Sequence, residues 1–224
     1  MRPLYAILLD GGFLTKKLYQ FLGRHATADD IVNKCDQLQS LDLVRDYELL
    51  RIYYYDAPPS SEGVTRPVSR TRLNLSTTDR FRLSQSLYDQ LVMKPHFALR
   101  MGETRLSPAK WRLNDRVAKS LIRAPRALTD DDFDLDLSQK GVDMRIGLDM
   151  ARLALRETVR AILVVTGDSD FVPTFKFARR EGVKVILDPL GHNIRSELRA
   201  HADVVLDQAP VAPHVGAEAI EVVE

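Results

Sequence analysis

Residues 161–176, AILVVTGDSDFVPTFK, constrain the fold of this chain more than any other stretch. The first five are an apolar, largely β-branched run with the length of a strand buried on both faces. Gly167 breaks that run, and a helical pattern begins near Asp170. A strand, a tight turn and a helix in this order belong to an open α/β sheet, which places its ligands at the carboxyl ends of its strands. Two carboxylates, Asp168 and Asp170, and two hydroxyls, Thr166 and Ser169, stand at that end. A helix N-cap accounts for one of them, since Asp or Ser before a helix satisfies orphan amides. One cap does not need two aspartates, so the second calls for a partner elsewhere in the chain.

A chain of 224 residues is long enough for a single α/β domain with a substantial core, and one domain is expected over residues 1–207. The only cysteine, Cys35, excludes an internal disulfide and a cysteine-based zinc cluster, fits a reducing compartment, and reads as a small core residue. The apolar run at residues 4–9 ends at Asp10, too early for a signal peptide, and no run approaches a membrane span. A cytoplasmic location without membrane contact is therefore expected.

In chain order, residues 4–9 read as a first buried strand, Asp10-Gly11-Gly12 as a turn, and 13–22 as a helix, so Asp10 also ends a strand. Thr27, followed by Asp29 and Asp30, opens a second helix toward Leu38 or Leu41. Residues 48–55 form the next strand, which stops at Asp56-Ala57-Pro58-Pro59.

Residues 60–126 then carry 14 Lys or Arg against 5 Asp or Glu, a local balance of +9 in a chain whose totals are 32 and 31. In this basic, insertion-like stretch a helix is expected from residue 77 or 78 to 91. Phe81, Leu83, Leu87, Tyr88 and Leu91 face inward on it, and Arg80 and Arg82 outward. A strand over 96–101 and a loop-rich piece over 102–125 follow, with the only tryptophan, Trp111, between Lys110 and Arg112. Cations interleaved with an aromatic suit a nucleic-acid groove, and Arg66, Arg70, Arg72, Arg80 and Arg82 are the candidate phosphate contacts. The alternative is a solvated surface with a buried Trp111.

The charge inverts at Asp130, Asp131, Asp132, Asp134 and Asp136, which alternate with Phe133, Leu135 and Leu137 as in an edge strand protected by charge. These aspartates read as structural. A helix over 142–156 has an apolar stripe of Val142, Ile146, Met150 and Leu153, with Asp143 and Asp149 on its margins. Asp143 can complement the helix dipole. Asp149, mid-helix beside an apolar face, calls for a partner or a metal-linked role. A strand at 183–187, a short helix at 194–201 and a strand at 204–206 complete the domain, and 208–224 read as a flexible tail. There is no internal repeat, dinucleotide fingerprint, P-loop or nucleophile elbow.

What remains is a set of acidic residues beside strand ends and helix starts: Asp10, Asp143, Asp168 and Asp170, with Asp149 nearby. Carboxylates converging in a poorly solvated cleft repel one another by several kcal/mol unless cations neutralise them. Hard oxygen ligands select Mg²⁺ or Mn²⁺. Such ions activate water and stabilise a leaving oxygen, and the basic stretch would hold a polyanion, so the chemistry indicated is phosphodiester hydrolysis.

The segments LLDGGF (8–13), YYYDAPP (53–59), KGVDMRIGLDMARLA (140–154) and VVTGDSDFVP (164–173) together resemble the NYN domain, the LabA-like branch of the PIN-like nuclease superfamily. The resemblance spans about residues 4–207. It implies a single Rossmann-like domain, with a mainly parallel sheet flanked by helices, and a Mg²⁺- or Mn²⁺-dependent endoribonuclease site acting on RNA. Carried over by motif, the catalytic and metal-binding residues are Asp10, Asp143, Asp168 and Asp170, with Asp149 matching a second recurrent aspartate of the same helix. Thr166 and Ser169 join the arginines as substrate contacts. Many relatives carry Asn shortly after the first Asp, where this chain has Phe13, which puts one polar contact in doubt. A non-catalytic RNA-binding or regulatory module is the alternative. An aspartyl-phosphate phosphomonoesterase is disfavoured, because it needs a second Asp where this chain has Gly12. Self-association, a homo-oligomer included, is left open.

Overall fold

The central strands are built from continuous apolar runs. All five residues of the AILVV strand and the five interior residues of LYAILLD are buried, as expected for strands covered on both faces. The computed structural model describes residues 2–207, so the tail expected at 208–224 lies outside the described residues. The elements are β1 (Leu4–Asp10), α1 (Gly11–Leu22), α2 (Ala28–Gln39), β2 (Glu48–Asp56), β3 (Gly63–Thr65), β4 (Arg72–Asn74), α3 (Asp79–Leu91), β5 (Phe97–Met101), β6 (Glu103–Leu113), α4 (Asp115–Arg123), β7 (Phe133–Lys140), α5 (Val142–Leu155), β8 (Ala161–Val165), α6 (Val172–Arg180), β9 (Lys184–Asp188), α7 (Ser196–Ala200) and β10 (Val204–Val205).

Six strands form a wholly parallel sheet in the order β10-β9-β8-β1-β2-β5. From β1 the chain builds outward through β2 to β5, then crosses back to β8 and builds the other way. β1 and β8 thus flank the switch point, where open α/β sheets leave a crevice. Strand alternation sends Ile7, Leu9, Tyr54, Leu163 and Ile186 into a core shared with α1, α2 and α3. It sends Ala6, Leu8, Tyr55, Val164 and Leu187 into a second core under α5, α6 and α7. A fully buried Leu or Ile contributes about 1.5–3 kcal/mol relative to exposure, so this pattern holds the register of each strand.

The segments after β2 and β5 rise from the carboxyl edge as two antiparallel hairpins, β3–β4 and β6–β7. They are tied to each other: Trp111 Nε1 donates to the Thr65 carbonyl at 2.8 Å, and the Val68 and Ser69 amides donate to Asp130. Gln139 Nε2 donates to Asp56 Oδ1 at 3.2 Å, which ties β7 to the end of β2.

Several sequence expectations are corrected. Residues 102–125 are the long strand β6 and the helix α4 rather than loop. The pairing with β7 slips between Leu106 and Trp111, where Pro108 and the positive φ of Lys110 interrupt the alternation that marks a strand. On α3 the inward residues are Leu87, Tyr88 and Leu91, while Leu83 is 47% exposed. His96 has φ 64° and lies before β5. Among the aspartates read as a charged edge, Asp132 is buried against Arg126, which donates to its Oδ2 at 2.7 Å. No helix among the described residues is long and apolar enough to cross a membrane.

One ion pair sits wholly inside the first layer. Lys34 of α2 meets Asp188 at the end of β9 at 2.8 Å with both side chains at 0% exposure, and Asp188 Oδ1 also accepts the Leu190 amide at 2.9 Å. Lys34→Met strands that carboxylate and is expected to destabilise the fold by about 3–5 kcal/mol in urea unfolding, while Lys34→Met with Asp188→Asn recovers much of the loss. A single variant as stable as the parent protein would show that the pair is dispensable.

Candidate active site

Asp10 is the last residue of β1 and lies on the face of Ala6 and Leu8, the side that α5 covers. The chain turns directly into α1 because residue 11 is glycine: a Cβ there would lie 2.6 Å from Tyr54 Cζ and 2.7 Å from the Tyr55 carbonyl oxygen. The Phe13 amide donates to Asp10 Oδ1 at 3.1 Å, so Asp10 caps α1. Its second oxygen accepts the Thr166 hydroxyl at 3.1 Å, across the crevice from β8.

Thr166 is fully buried and also accepts the Asp168 amide at 3.2 Å. Asp168 in turn caps the short turn Ser169–Phe171 by accepting the Asp170 amide at 2.9 Å. Capping is therefore real for both Asp10 and Asp168, and it fixes the carboxylates rather than explaining them away. Asp143 reaches the same edge in the first turn of α5. β7 returns beside β6, Lys140 pairs with Glu103, and α5 starts there.

The electrostatics show that these groups share one environment. Burial pushes Asp10 up to about 6, against hydrogen bonds from Phe13 and Thr166 that lower it, and the charges of Asp143 and Asp56 add to the rise. Asp143 is raised by desolvation and then by Asp168 and Asp170. No ion pair among the described residues involves Asp10, Asp143, Asp168 or Asp170.

Asp149 differs. Arg100 of β5 holds both its oxygens, Nε to Oδ2 at 3.0 Å and Nη2 to Oδ1 at 2.9 Å, and the Tyr55 hydroxyl donates to Oδ2 at 3.0 Å. The partner that this mid-helix aspartate called for is thus an arginine, which neutralises its charge and sets it apart from Asp10, Asp143, Asp168 and Asp170.

Asp56 was not singled out in the sequence, where DAPP reads as a breaker. It is buried at the end of β2, and accepts from Tyr54, Tyr88, Gln139 and the Ala57 amide. Burial raises its pKa above the ordinary carboxylate value despite these donors. The signal that could have found it is its place, a second aspartate ending a parallel strand beside β1. Of the candidate phosphate contacts, Arg66, Arg70 and Arg72 lie on the β3–β4 hairpin, and Arg80 and Arg82 in the first turn of α3. Arg82 pairs with Asp79, while Arg70, Arg72 and Arg80 are exposed. A cavity of about 740 Å³ lies away from the carboxylates, lined by Lys176, Arg179, Arg180 and Lys184 among others.

A parallel α/β sheet with acidic residues at the switch point is a Rossmann-like α/β fold, consistent with the PIN-like kind. Residues 112–209 match the family model of the NYN domain, a member of the PIN-like nuclease superfamily, whose nucleases generally use divalent metals. That segment holds Asp143, Asp168 and Asp170; the resemblance of residues 4–111 rests on the motifs alone. No curated protein matches the chain. Among solved structures, a protein of unknown function from Vibrio parahaemolyticus superposes with a TM-score of 0.53 at 14% identity over 92% of each chain, a likeness of fold.

The donors suit a hard divalent cation in kind: oxygen only, anionic, and without a protein cation to neutralise them. Among the described residues no three His, Cys, Asp or Glu side chains are gathered closely enough to form a ready-made cage. The carboxylates are coupled by charge and by the Thr166 bridge instead.

Asp10 gives this arrangement a pH signature. Its folded pKa, about 6, lies above the ordinary 3.8, so the folded state holds the proton more tightly. The associated stability is fully present below about pH 4 and is lost as pH rises through 6. In EDTA, Asp10→Asn is expected to exceed the parent protein by about 1–3 kcal/mol at pH 8, with the difference closing by pH 4. Urea melts across that range measure it, and parallel curves would show that Asp10 carries no such cost.

Proposed function

We propose that this chain is a metal-dependent endoribonuclease, of the LabA-like kind, that hydrolyses RNA phosphodiester bonds at the β1/β8 crevice. The observation that carries the reading is the group of four aspartates at the switch point with no ion pair among the described residues, in a chain whose residues 112–209 match the NYN domain. Asp10, Asp143, Asp168 and Asp170 would hold Mg²⁺ or Mn²⁺, which when bound supplies an activated water and stabilises charge on the departing oxygen. Thr166 orients Asp10, and the Asp170 amide orients Asp168. Ser169, in the same turn, would touch substrate. The exposed arginines of the β3–β4 hairpin and α3 rise from this edge and would track the phosphate backbone.

A non-catalytic RNA-binding module is the second reading. It is favoured by Phe13 at the position where relatives carry Asn, and by the lack of three gathered ligands among the described residues.

Incubation of RNA and DNA strands with Mn²⁺, Mg²⁺ or EDTA separates the two. Cleavage that needs a divalent ion is expected, with a loss of ~100-fold or more in Asp10→Asn and in Asp168→Asn. Asp134→Asn, whose carboxylate only accepts from Asn114, should cleave as the parent protein does. Cleavage that survives both site variants would assign the activity to another site or a contaminant. Replacing Arg66, Arg70, Arg72, Arg80 and Arg82 should flatten the dependence of log affinity on log salt by about 0.7 for each lost phosphate contact on single strands. An unchanged slope would make this surface merely solvated.

A further inference from the structure

Beside the carboxylates lies a group of side chains that the proposed hydrolysis does not use. Phe13, in the first turn of α1, and His192, in the turn after β9, bring their ring centroids to 5.9 Å at 57°. They meet over Gly167, and the close approach requires glycine there: a Cβ would lie 2.6 Å from Phe13 Cε2 and 2.8 Å from His192 Cδ2. Gly167 sits between Thr166 and Asp168, so the two rings are one residue from each. Phe13 also gives its amide to Asp10. Lys17, one turn along α1, places Nζ 3.1 Å from His192 Nδ1 and over the Phe13 ring, 5.8 Å from its centroid, so the aromatic pair carries a cation.

Both partners are positioned from below. The buried Lys34–Asp188 pair holds the base of the His192 turn through the Leu190 amide, and the His192 amide donates to the Pro189 carbonyl at 2.8 Å. Phe13 and Lys17 are half-buried and His192 is exposed, so the pair is accessible from solvent. Desolvation, with the charges of Lys17 and Lys16, holds His192 below the ordinary imidazole value. A neutral ring accepts from Lys17 through Nδ1 and keeps Nε2–H as a donor.

From this geometry we infer that Phe13, His192 and Lys17 form a nucleotide subsite for single-stranded nucleic acid: an unpaired base stacks on one of the two tilted rings and packs against the other, and Lys17 takes the adjoining phosphate. The subsite rests on the nuclease reading only for its purpose, since it would seat the nucleotide next to the one held at the carboxylates. A base is the occupant that uses all three features, a π-face, a ring N–H donor and a nearby ammonium. Paired bases cannot reach the rings, so duplex should be bound less well. Phe13 thereby exchanges the polar contact of an asparagine for a stacking surface.

The test is binding to a short RNA in EDTA, where no cleavage intrudes, with the intact strand compared against strands carrying one abasic position each, against DNA of the same sequence, and against the duplex. Phe13→Leu and His192→Ala should each lose about tenfold in affinity for the intact single strand. They should lose little further when the abasic position falls at the subsite. Phe13→Tyr, which keeps the ring, should bind as the parent protein does, and Lys17→Met should lower the salt slope by about 0.7. Equal losses by Phe13→Leu on intact strands and on every abasic strand, or none on any, would overturn the inference. So would a duplex bound as tightly as the single strand. If Phe13→Leu does not fold, His192→Ala and the abasic scan decide alone. Base-dependent binding without metal-dependent cleavage would sink the nuclease reading and leave the subsite standing, and the reverse result would do the opposite.

Discussion

Four carboxylates that pair with no protein cation among the described residues set the terms on which the rest of this molecule is built. Elsewhere the chain neutralises several of its acids with cations: Asp188 with Lys34, Asp149 with Arg100, Asp132 with Arg126. At the switch point it does not. Asp10 is instead held by an amide and a hydroxyl, which fix its direction without cancelling its charge. Hydrogen bonds of that kind partly offset the desolvation penalty, and the raised pKa shows that the offset is incomplete.

The neighbouring groups make sense around that constraint. Asp56, one strand over, is wrapped by two phenols, an amide and a carboxamide, which hold its carboxylate in place while its charge still adds to the rise at Asp10. Through Gln139 it also fixes where β7 returns, and hence where α5 begins and presents Asp143. Arg100 and Tyr55, at one level of the sheet, clamp Asp149 and so pin α5 over β2 and β5. The same helix thus carries one aspartate that is spent on architecture and another that stays exposed.

The parts legible in the sequence are those whose cause is local. AILVV followed by Gly167 shows a buried strand and its carboxyl end whatever surrounds it, and LYAILLD shows the same for Asp10. Asp56 stands at an equivalent end, but Pro58 and Pro59 announce a break more loudly than Asp56 announces a site. The ligation of Asp149 depends on β5 lying next to β2, with Tyr55 opposite Arg100, and no local pattern carries that register. β6 was hidden because its alternation is interrupted at the slip, although its partner β7 alternates cleanly. The meeting of Phe13 with His192 needs two distant turns and an absent Cβ between them, which no spacing within either segment reveals.

The bond between Thr166 and Asp10 joins residues 156 positions apart. During synthesis β1 and β2 can pair as soon as α1, α2 and β2 have left the ribosome, but the other edge of β1 waits for β8. Until then that edge is an apolar strand with unpaired amides, open to strand addition from another chain. Closing so long a loop makes the last pairing slow relative to the first. A partial chain therefore holds the individual aspartates but no cluster, and the shared charge environment of the crevice comes into being only with the half of the sheet made last.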